Sequence, residues 1–298
     1  MTTAAFYEAV GRKEDAKTIY TKALALDPQD VRVKQAIARH HFKHRELAEA
    51  EKYINEILEE RPSYVPARML KGEMLVARRE FSKAIETYGL LIKEEPDSAR
   101  AYYFKGLAHM GNGETSVAKT ALAKATELDP NDIRPKLLLA QIYFRERDVD
   151  LAQNQSREIL SIAPGNYQAT LLLGNTYLYQ QKFDEAQKAY ESLIKKSPEN
   201  PVGYFRLGNL QRIRRQYDAA LQNFEKALVL NENLIDVFSS VVVIHVQRKE
   251  FDTAIKKCDR QLQRADQKPV VSAIIFNLKG GVYLASNRQS LAEEAFKK

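Results

Sequence analysis

Two histidines in the stretch RHHFKHR, residues 39–45, have a spacing that could serve a metal ion. His40 and His44 are one helical turn apart, which is the spacing of a two-histidine ligand pair on a helix. The sequence alone places no carboxylate or cysteine beside them, so we expect surface and packing histidines. We therefore predict no metal site and no cofactor.

Two other candidates for chemistry have structural explanations. The stretch GNGET, residues 111–115, is spaced like a phosphate loop, but it follows a helical pattern and lacks the P-loop lysine. It is interpreted as an inter-helix turn. The single cysteine, Cys258, excludes an internal disulfide and a cysteine-rich zinc site, and it is expected in the core as an inert small hydrophobe. We predict no catalytic residue and a protein that is not an enzyme.

Three side-chain amides share one spacing, because the interval from Gln141 to Asn175 equals the interval from Asn175 to Asn209. An amide both donates and accepts hydrogen bonds, so a row of amides can hold the backbone of a bound peptide whatever its sequence. The alternative is that asparagine at this position serves local packing. Both interpretations require structural elements that repeat at this interval.

The whole chain repeats with that period. Six prolines and eight alanines recur every 34 residues, which is also the interval from Gln141 to Asn175. A ninth alanine follows 38 residues after the eighth. A small residue stands twelve positions before most of these alanines, and an aromatic or aliphatic residue stands four after most of them. The prolines are Pro28, Pro62, Pro96, Pro130, Pro164 and Pro198; the alanines are Ala16, Ala50, Ala84, Ala118, Ala152, Ala186, Ala220, Ala254 and Ala292.

The apolar spacing inside each unit is helical. In residues 170–198, Leu173 and Tyr177 precede a break and Ala186 follows it, with apolar residues recurring at three and four. Each unit is therefore predicted to be two helices. The small residues Gly174 and Ala186 would let the two backbones approach closely, and Pro198 would close the second helix.

This pattern resembles the tetratricopeptide repeat, a family of helix-turn-helix units of about 34 residues. Phe81, Phe183, Tyr217 and Phe251 each stand three before their alanine and match the family's aromatic residue in the inter-helix turn. The resemblance implies an all-α fold, a right-handed α-solenoid of stacked helix pairs. His41 then occupies a packed position.

The resemblance makes the chain a single array over residues 1–298. A partial unit covers residues 1–30, full units cover 31–64, 65–98, 99–132, 133–166, 167–200, 201–234 and 235–272, and a partial unit covers 273–298. Two departures stand out: Glu232 replaces a closing proline, and four extra residues lie around Gln267, Lys268 and Pro269. Because no polar capping helix follows the last unit, we expect a segment of a longer array.

The family places the first helix of each pair on the concave side, so the resemblance implies a groove lined by residues spaced three and four apart on those helices. We call the following set the predicted groove: Arg100, Tyr103, Arg134, Leu137, Gln141, Phe144, Leu171, Asn175, Leu178, Phe205, Asn209 and Arg212. Its apolar members, such as Leu137, Leu171 and Phe205, have the alternative of completing inter-helix packing.

The charge separates by helix. The chain carries a net charge of +7, and the first-helix windows, residues 31–46 and their six equivalents, sum to +14, whereas the second-helix windows sum to −8. This asymmetry favours an acidic ligand, whose approach it would steer. The alternative is that solvated faces carry charge without functional meaning.

Other classes of partner are disfavoured. RIRR, residues 212–215, could suggest nucleic acid, but repeats that read RNA need a base-reading code in each unit, and the candidate positions here change between arginine, leucine and valine. No apolar run reaches the roughly 20 residues that span a bilayer, so we expect no membrane insertion. The N-terminus lacks a secretory signal, which makes the cytoplasm the default location, with the periplasm open. Oligomeric state is left unassigned.

The leading hypothesis is a non-enzymatic scaffold that binds an acidic, partly apolar peptide or protein segment in the predicted groove. The alternative is a regulatory or substrate-recruiting arm of a larger enzyme whose catalytic domain lies outside this sequence. The array also resembles long bacterial tetratricopeptide proteins associated with exopolysaccharide and surface-protein export. Fold does not determine function, so the ligand must be argued from the site.

Overall fold

The computed structural model describes residues 2–263 and 268–298, and within these ranges it contains 18 helices and no strand. The helices are α1 (Thr2–Ala9), α2 (Lys13–Leu26), α3 (Val31–Lys43), α4 (Leu47–Glu60), α5 (Val65–Ala77), α6 (Phe81–Glu94), α7 (Ala99–Gly111), α8 (Thr115–Leu128), α9 (Ile133–Glu146), α10 (Val149–Ile162), α11 (Tyr167–Tyr179), α12 (Phe183–Lys196), α13 (Pro201–Ile213), α14 (Tyr217–Leu230), α15 (Ile235–Gln247), α16 (Phe251–Leu262), α17 (Pro269–Ala285) and α18 (Gln289–Phe296). The all-α prediction is confirmed.

The helices belong to two compact units, and the division falls inside α9. The first unit ends at Ile142 and the second unit begins at Tyr143. Within each unit, consecutive helices pack together, and alternate helices also touch, as α5 does with α7 and α15 does with α17. Contacts between near neighbours in sequence are the property of a solenoid of stacked helix pairs. None of the described helices is long and apolar enough to span a bilayer.

The helix starts follow the sequence period. The first helices α3, α5, α7, α9, α11, α13 and α15 begin at equal intervals, each at a predicted unit boundary. Where a closing proline is present, the second helix ends two residues before it, as α12 ends at Lys196 before Pro198. Helix α14 ends in the same register, at Leu230, although Glu232 replaces the proline. The proline therefore reinforces a helix end that the register already sets.

Four extra residues lie near the start of the last helix pair. We predicted them at the boundary around Gln267, Lys268 and Pro269, of which Gln267 lies outside the described residues, and we began the last partial unit at residue 273. In the structure α17 begins at Pro269, in regular register with Ile235, and has 17 residues where α15 has 13. Because Gly280 keeps the usual contact with Phe296, the added residues form an extra N-terminal turn of α17. Four residues make about one helical turn, so the helix absorbs them.

The turn inside each pair ends the first helix in a repeated way. One residue per turn has a left-handed backbone, for example Arg79 with φ 63° and Gly113 with φ 81°. At Arg79, the N–H of Glu80 donates to the carbonyl of Leu75 at 2.9 Å and the N–H of Arg79 donates to the carbonyl of Val76 at 3.0 Å. This is a Schellman motif. The same backbone bonds at Gly113 confirm that GNGET is an inter-helix turn.

Each pair is held together by residues of complementary size. A Cβ added to the first-helix glycine would come within 2.4–2.8 Å of a large side chain sixteen positions later, so these backbones approach closely. The pairs are Gly72 with Tyr88, Gly106 with Leu122, Gly174 with Tyr190, Gly208 with Phe224 and Gly280 with Phe296. Where the first-helix residue is Val242, its partner is the small Cys258 in the same buried cluster. The glycines are therefore required by large partners rather than by the helix itself.

Candidate functional site

The second unit holds seven residues of the predicted groove, and all are half-buried: Phe144, Leu171, Asn175, Leu178, Phe205, Asn209 and Arg212. Leu171 and Leu178 pack against the buried cluster around Tyr190. The rings of Phe205 and Phe224 have centroids 6.1 Å apart. These apolar residues therefore complete inter-helix packing, as the alternative interpretation proposed, and they also keep an accessible edge.

The amides of the second unit differ in their partners. The hydroxyl of Tyr190 donates to Oδ1 of Asn175 at 3.0 Å, so this amide supports local packing and keeps its N–H groups for another acceptor. Asn209 makes no side-chain hydrogen bond to the described residues, because its counterpart to Tyr190 is Phe224, which has no hydroxyl. Gln141 is exposed and lies in the first unit. Of the two amides in the second unit, Asn209 is thus the more available to a ligand.

Two arginines on α13 have unsatisfied donors. The Nε atoms of Arg206 and Arg212 are buried, and within the described ranges they have no hydrogen-bond partner. The guanidinium of Arg206 lies 5.7 Å from the centroid of the Phe205 ring. A buried donor without an acceptor costs free energy, so each such group calls for an explanation. An acceptor supplied by a bound molecule would provide one at Arg212, a predicted-groove residue.

An apolar cavity of about 390 Å³ lies between α15 and α17, and we call it the valine cavity. It is lined by Val242, Val243, Val246, Gln247, Ile274, Asn277, Leu278, Gly281 and Val282. Val243 is one repeat after Asn209, so the cavity occupies the register of the predicted groove in the next unit. The predicted groove ended at Arg212 and did not include these residues. The signal was present, because the same register leads from Asn175 through Asn209 to Val243.

The first unit holds two of the three arginines of the predicted groove, Arg100 and Arg134, and both are paired with carboxylates. Arg134 hydrogen-bonds Asp132 at 2.6–3.0 Å, which lowers the pKa of that carboxyl below its ordinary value. The guanidinium of Arg134 also lies 4.9 Å from the centroid of the Tyr103 ring. Arg100 forms an ion pair with Glu73 at 2.5 Å. Leu137 is half-buried. Glu73 and Asp132 therefore neutralise the two arginines that the predicted groove has in this unit.

Three first-helix histidines each pair with the glutamate that stands at the N-cap of the following helix. Nδ1 of His41, His109 and His245 faces a carboxylate oxygen of Glu46, Glu114 and Glu250, respectively, at 2.5–2.7 Å. Hydrogen bonding to His109 lowers the pKa of Glu114, and hydrogen bonding to His245 lowers that of Glu250. His41 is buried, and its ring stacks on that of Tyr53 with the ring centroids 5.9 Å apart, so this histidine packs between helices as expected.

Cys258 is fully buried beside Val242, as predicted. Burial raises the pKa of its thiol to about 12. A thiol that stays protonated at neutral pH is a poor nucleophile and a poor metal ligand. The cysteine therefore serves packing.

Three family models match the sequence. The TPR domain of cytochrome c-type biogenesis protein H matches residues 90–200, and two tetratricopeptide repeat models match residues 171–234 and residues 9–74. No curated protein matches the chain in sequence. None of these findings bears on the export-associated type, which stays a prediction.

Solved structures share the fold at low sequence identity. A chain of the APC/C hetero-tetramer Cut9-Hcn1 has a TM-score of 0.59 and 17% identity, covering 93% of this chain and 54% of its own length. A monomeric IFIT1 mutant with Gppp-AAAA has a TM-score of 0.56 and 15% identity, covering 99% and 78%. YrrB, described as a TPR protein with an unusual peptide-binding site, has a TM-score of 0.54 and 15% identity, covering 66% and 97%.

At these identities the structural likeness concerns the fold alone, and the present chain spans about half of the Cut9-Hcn1 chain, 54%. The family matches, by contrast, cover residues 9–74 and 90–234, and the helix starts follow the family's period from α2 to α17. The chain is a tetratricopeptide repeat protein.

Proposed function

We propose that this protein is a non-enzymatic scaffold that binds an extended peptide or protein segment through the first helices of its second unit. The observation that carries the proposal is the valine cavity, which lies in register with Asn209 and Arg212 on the preceding first helix. The three tetratricopeptide family matches support an interaction scaffold. The description of YrrB as having a peptide-binding site agrees with this class of ligand.

The three features would recognise different parts of the segment. The valine cavity would take an apolar side chain, since burying a Leu-sized or Phe-sized group contributes about 1.5–3 kcal/mol. The amide of Asn209 would donate to and accept from the ligand backbone, and the N–H groups of Asn175 would add a donor. Arg212 would bind a carbonyl or a carboxylate, which gives its unsatisfied Nε an acceptor. The preferred ligand is therefore partly apolar with an acidic group nearby.

In the first unit, we propose that Arg100, Tyr103, Arg134, Leu137 and Gln141 contribute secondary contacts. Arg100 and Arg134 already have carboxylate partners, so an acidic ligand must compete with Glu73 and Asp132. Their contribution to affinity is expected to be small, as it is for exposed ion pairs in general.

The test is selection of peptides from a random library on the full chain, followed by titration of the strongest peptide against four variants. Asn209→Ala should weaken binding by about 1–3 kcal/mol, because a ligand polar group loses its partner. Val243→Asp should abolish binding by placing a charge in the valine cavity. The matched controls lie on second helices of the same unit: Asn154→Ala on α10 and Val229→Asp on α14, where Val229 is exposed.

Both controls should bind the peptide with wild-type affinity. The proposal fails if Val229→Asp abolishes binding while Val243→Asp does not, because the site would then lie on the second helices. An RNA oligonucleotide is the counter-probe. The oligonucleotide could displace the peptide from the wild type at a comparable concentration and bind Asn209→Ala more weakly. That result would identify nucleic acid, rather than a peptide, as the ligand of these first helices.

A further inference from the structure

The first unit gathers three metal-ligand side chains from two helices. Glu8 on α1, His40 on α3 and His44, the C-cap residue of α3, each offer one ligand atom, and these atoms lie within 4.8 Å of one another. Oε1 of Glu8 contacts Nδ1 of His40 and lies 3.7 Å from Nε2 of His44. The two imidazole centroids are 4.7 Å apart. The carboxylate that the sequence did not place beside the histidines comes from 32 residues before His40.

We propose that Glu8, His40 and His44, here called the histidine cluster, bind a divalent transition-metal ion of the zinc class. Imidazole nitrogen and carboxylate oxygen are preferred zinc ligands, and three protein ligands leave a fourth position for water. With metal–ligand bonds of about 2.0–2.2 Å, tetrahedral ligand atoms lie roughly 3.4 Å apart. The separation of 3.7 Å between Glu8 and His44 is close to that value. The contact between Glu8 and His40 would lengthen by about 1 Å as the ion enters.

Burial supports an enclosed site. The side chain of His40 is 0% exposed, that of Glu8 is 14% exposed and that of His44 is 24% exposed. Nε2 of His44 is buried, faces Glu8 at the non-bonding distance above, and has no hydrogen-bond partner in the part of the chain that the structure describes. A metal ion would give this nitrogen a partner.

The residues around the histidine cluster leave one carboxylate oxygen for the ion. Nζ of Lys43 donates to Oε2 of Glu8 at 2.8 Å, which keeps Oε1 directed toward the histidines. Its positive charge opposes a cation, but the lysine side chain is 56% exposed and can turn into solvent. His40 also lines a cavity of about 80 Å³ between α2, α3 and α4, and its buried Nε2 has no hydrogen-bond partner among the described residues.

Metal binding would link α1, in the first helix pair, to α3, the first helix of the next pair. Since an ion that binds only the folded chain raises its stability, the N-terminal helices would become harder to unfold when metal is present. The proposed role of the ion is therefore to stabilise the N-terminal helices of the first unit. This role is separate from ligand binding by the second unit.

The experiment titrates the full chain, purified without a histidine tag and stripped with a chelator, with Zn²⁺ in a calorimeter. We expect saturation at one ion per chain. His44→Gln and Glu8→Gln should each weaken Zn²⁺ binding by more than about 100-fold, beyond the effect typical of residues that only orient ligands. His109→Gln is the matched control, because that histidine pairs with Glu114 outside the cluster. It should bind Zn²⁺ as the wild type does.

Two further readings make the result decisive. Co²⁺ should give the visible absorption of a four-coordinate site in the wild type and not in His44→Gln. Zn²⁺ should raise the thermal midpoint of the wild type and leave that of His44→Gln unchanged, while circular dichroism without metal shows equal helicity in both. Absence of saturable binding, or wild-type affinity in His44→Gln, would show that the cluster is only a hydrogen-bonded group.

Discussion

Replacing Gly208 by valine puts a branched side chain into space that Phe224 already fills. A Cβ at Gly208 would lie 2.7 Å from Cε1 and 2.8 Å from Cδ1 of Phe224, whereas ordinary contact begins at 3.4 Å. Phe224 is fully buried in a cluster with Ala220 and Val241, so its ring has little room to move. We expect Gly208→Val to lower the free energy of unfolding by about 1–3 kcal/mol, the usual cost of overpacking a core.

The partner substitution tests whether size complementarity is the cause. Phe224→Cys leaves a cavity and should cost about 3 kcal/mol or more. The double variant reproduces the Val242 and Cys258 pair that the next repeat already uses. Because valine then fills part of the vacated space, the double variant should cost less than the two single changes together, with a coupling free energy of about 1–3 kcal/mol.

The assay is urea unfolding followed by helical circular dichroism on the wild type, both single variants and the double variant. The curves are fitted with a nearest-neighbour model, because stacked repeats need not unfold in one step. Gly89→Ala on α6 is the control, since no atom would lie within 4 Å of its new Cβ. It should raise stability by up to about 1 kcal/mol through helix propensity. Strict additivity in the double variant would refute size complementarity.

Three further outcomes are expected. The pKa of Glu114 is lowered from 4.5 by its hydrogen bond with His109, so its contribution is present at neutral pH and is lost as pH falls below about 4.5; thermal melts of Glu114→Gln should show a weaker loss between pH 5 and pH 3 than the wild type. Cys258, with a thiol pKa of about 12, should react with a thiol reagent only after denaturation. Arg248→Ala removes surface ion pairs with Asp218 and Glu250 and should leave the urea midpoint of unfolding nearly unchanged.

The fold followed from the sequence because its signals are local and repeated. The helices from α2 to α17 begin where the period placed them, since the spacing of small and large residues fixes which faces of a pair can meet. The length of the insertion before Ala292 was readable, but its position was not. A helix can absorb four residues as one turn at little cost, so the alanine spacing is the same whether the insertion extends a loop or extends α17.

The positions of the predicted-groove residues on the first helices followed from the sequence, but the hydrogen bonds and ion pairs of their side chains did not. Asn209 and Arg212 lie on α13 where the period placed them. The sequence did not show that the hydroxyl of Tyr190 donates to Asn175, or that Arg134 donates to Asp132. Such pairings depend on rotamers and on the few ångströms between neighbouring side chains, which a repeat pattern does not encode. Glu8 was missed for the same reason, because its contact with His40 arises only when α1 packs beside α3.

The most direct test of the central claim is photo-crosslinking between the full chain and its selected peptide, with a benzophenone in place of the peptide's apolar anchor residue. Tandem mass spectrometry then identifies the crosslinked residues. We predict that crosslinks fall on α15 and α17 around Val243 and Ile274, which line the valine cavity. Crosslinks confined to the second helices α14 and α16, with none on α15 or α17, would contradict binding by the first helices.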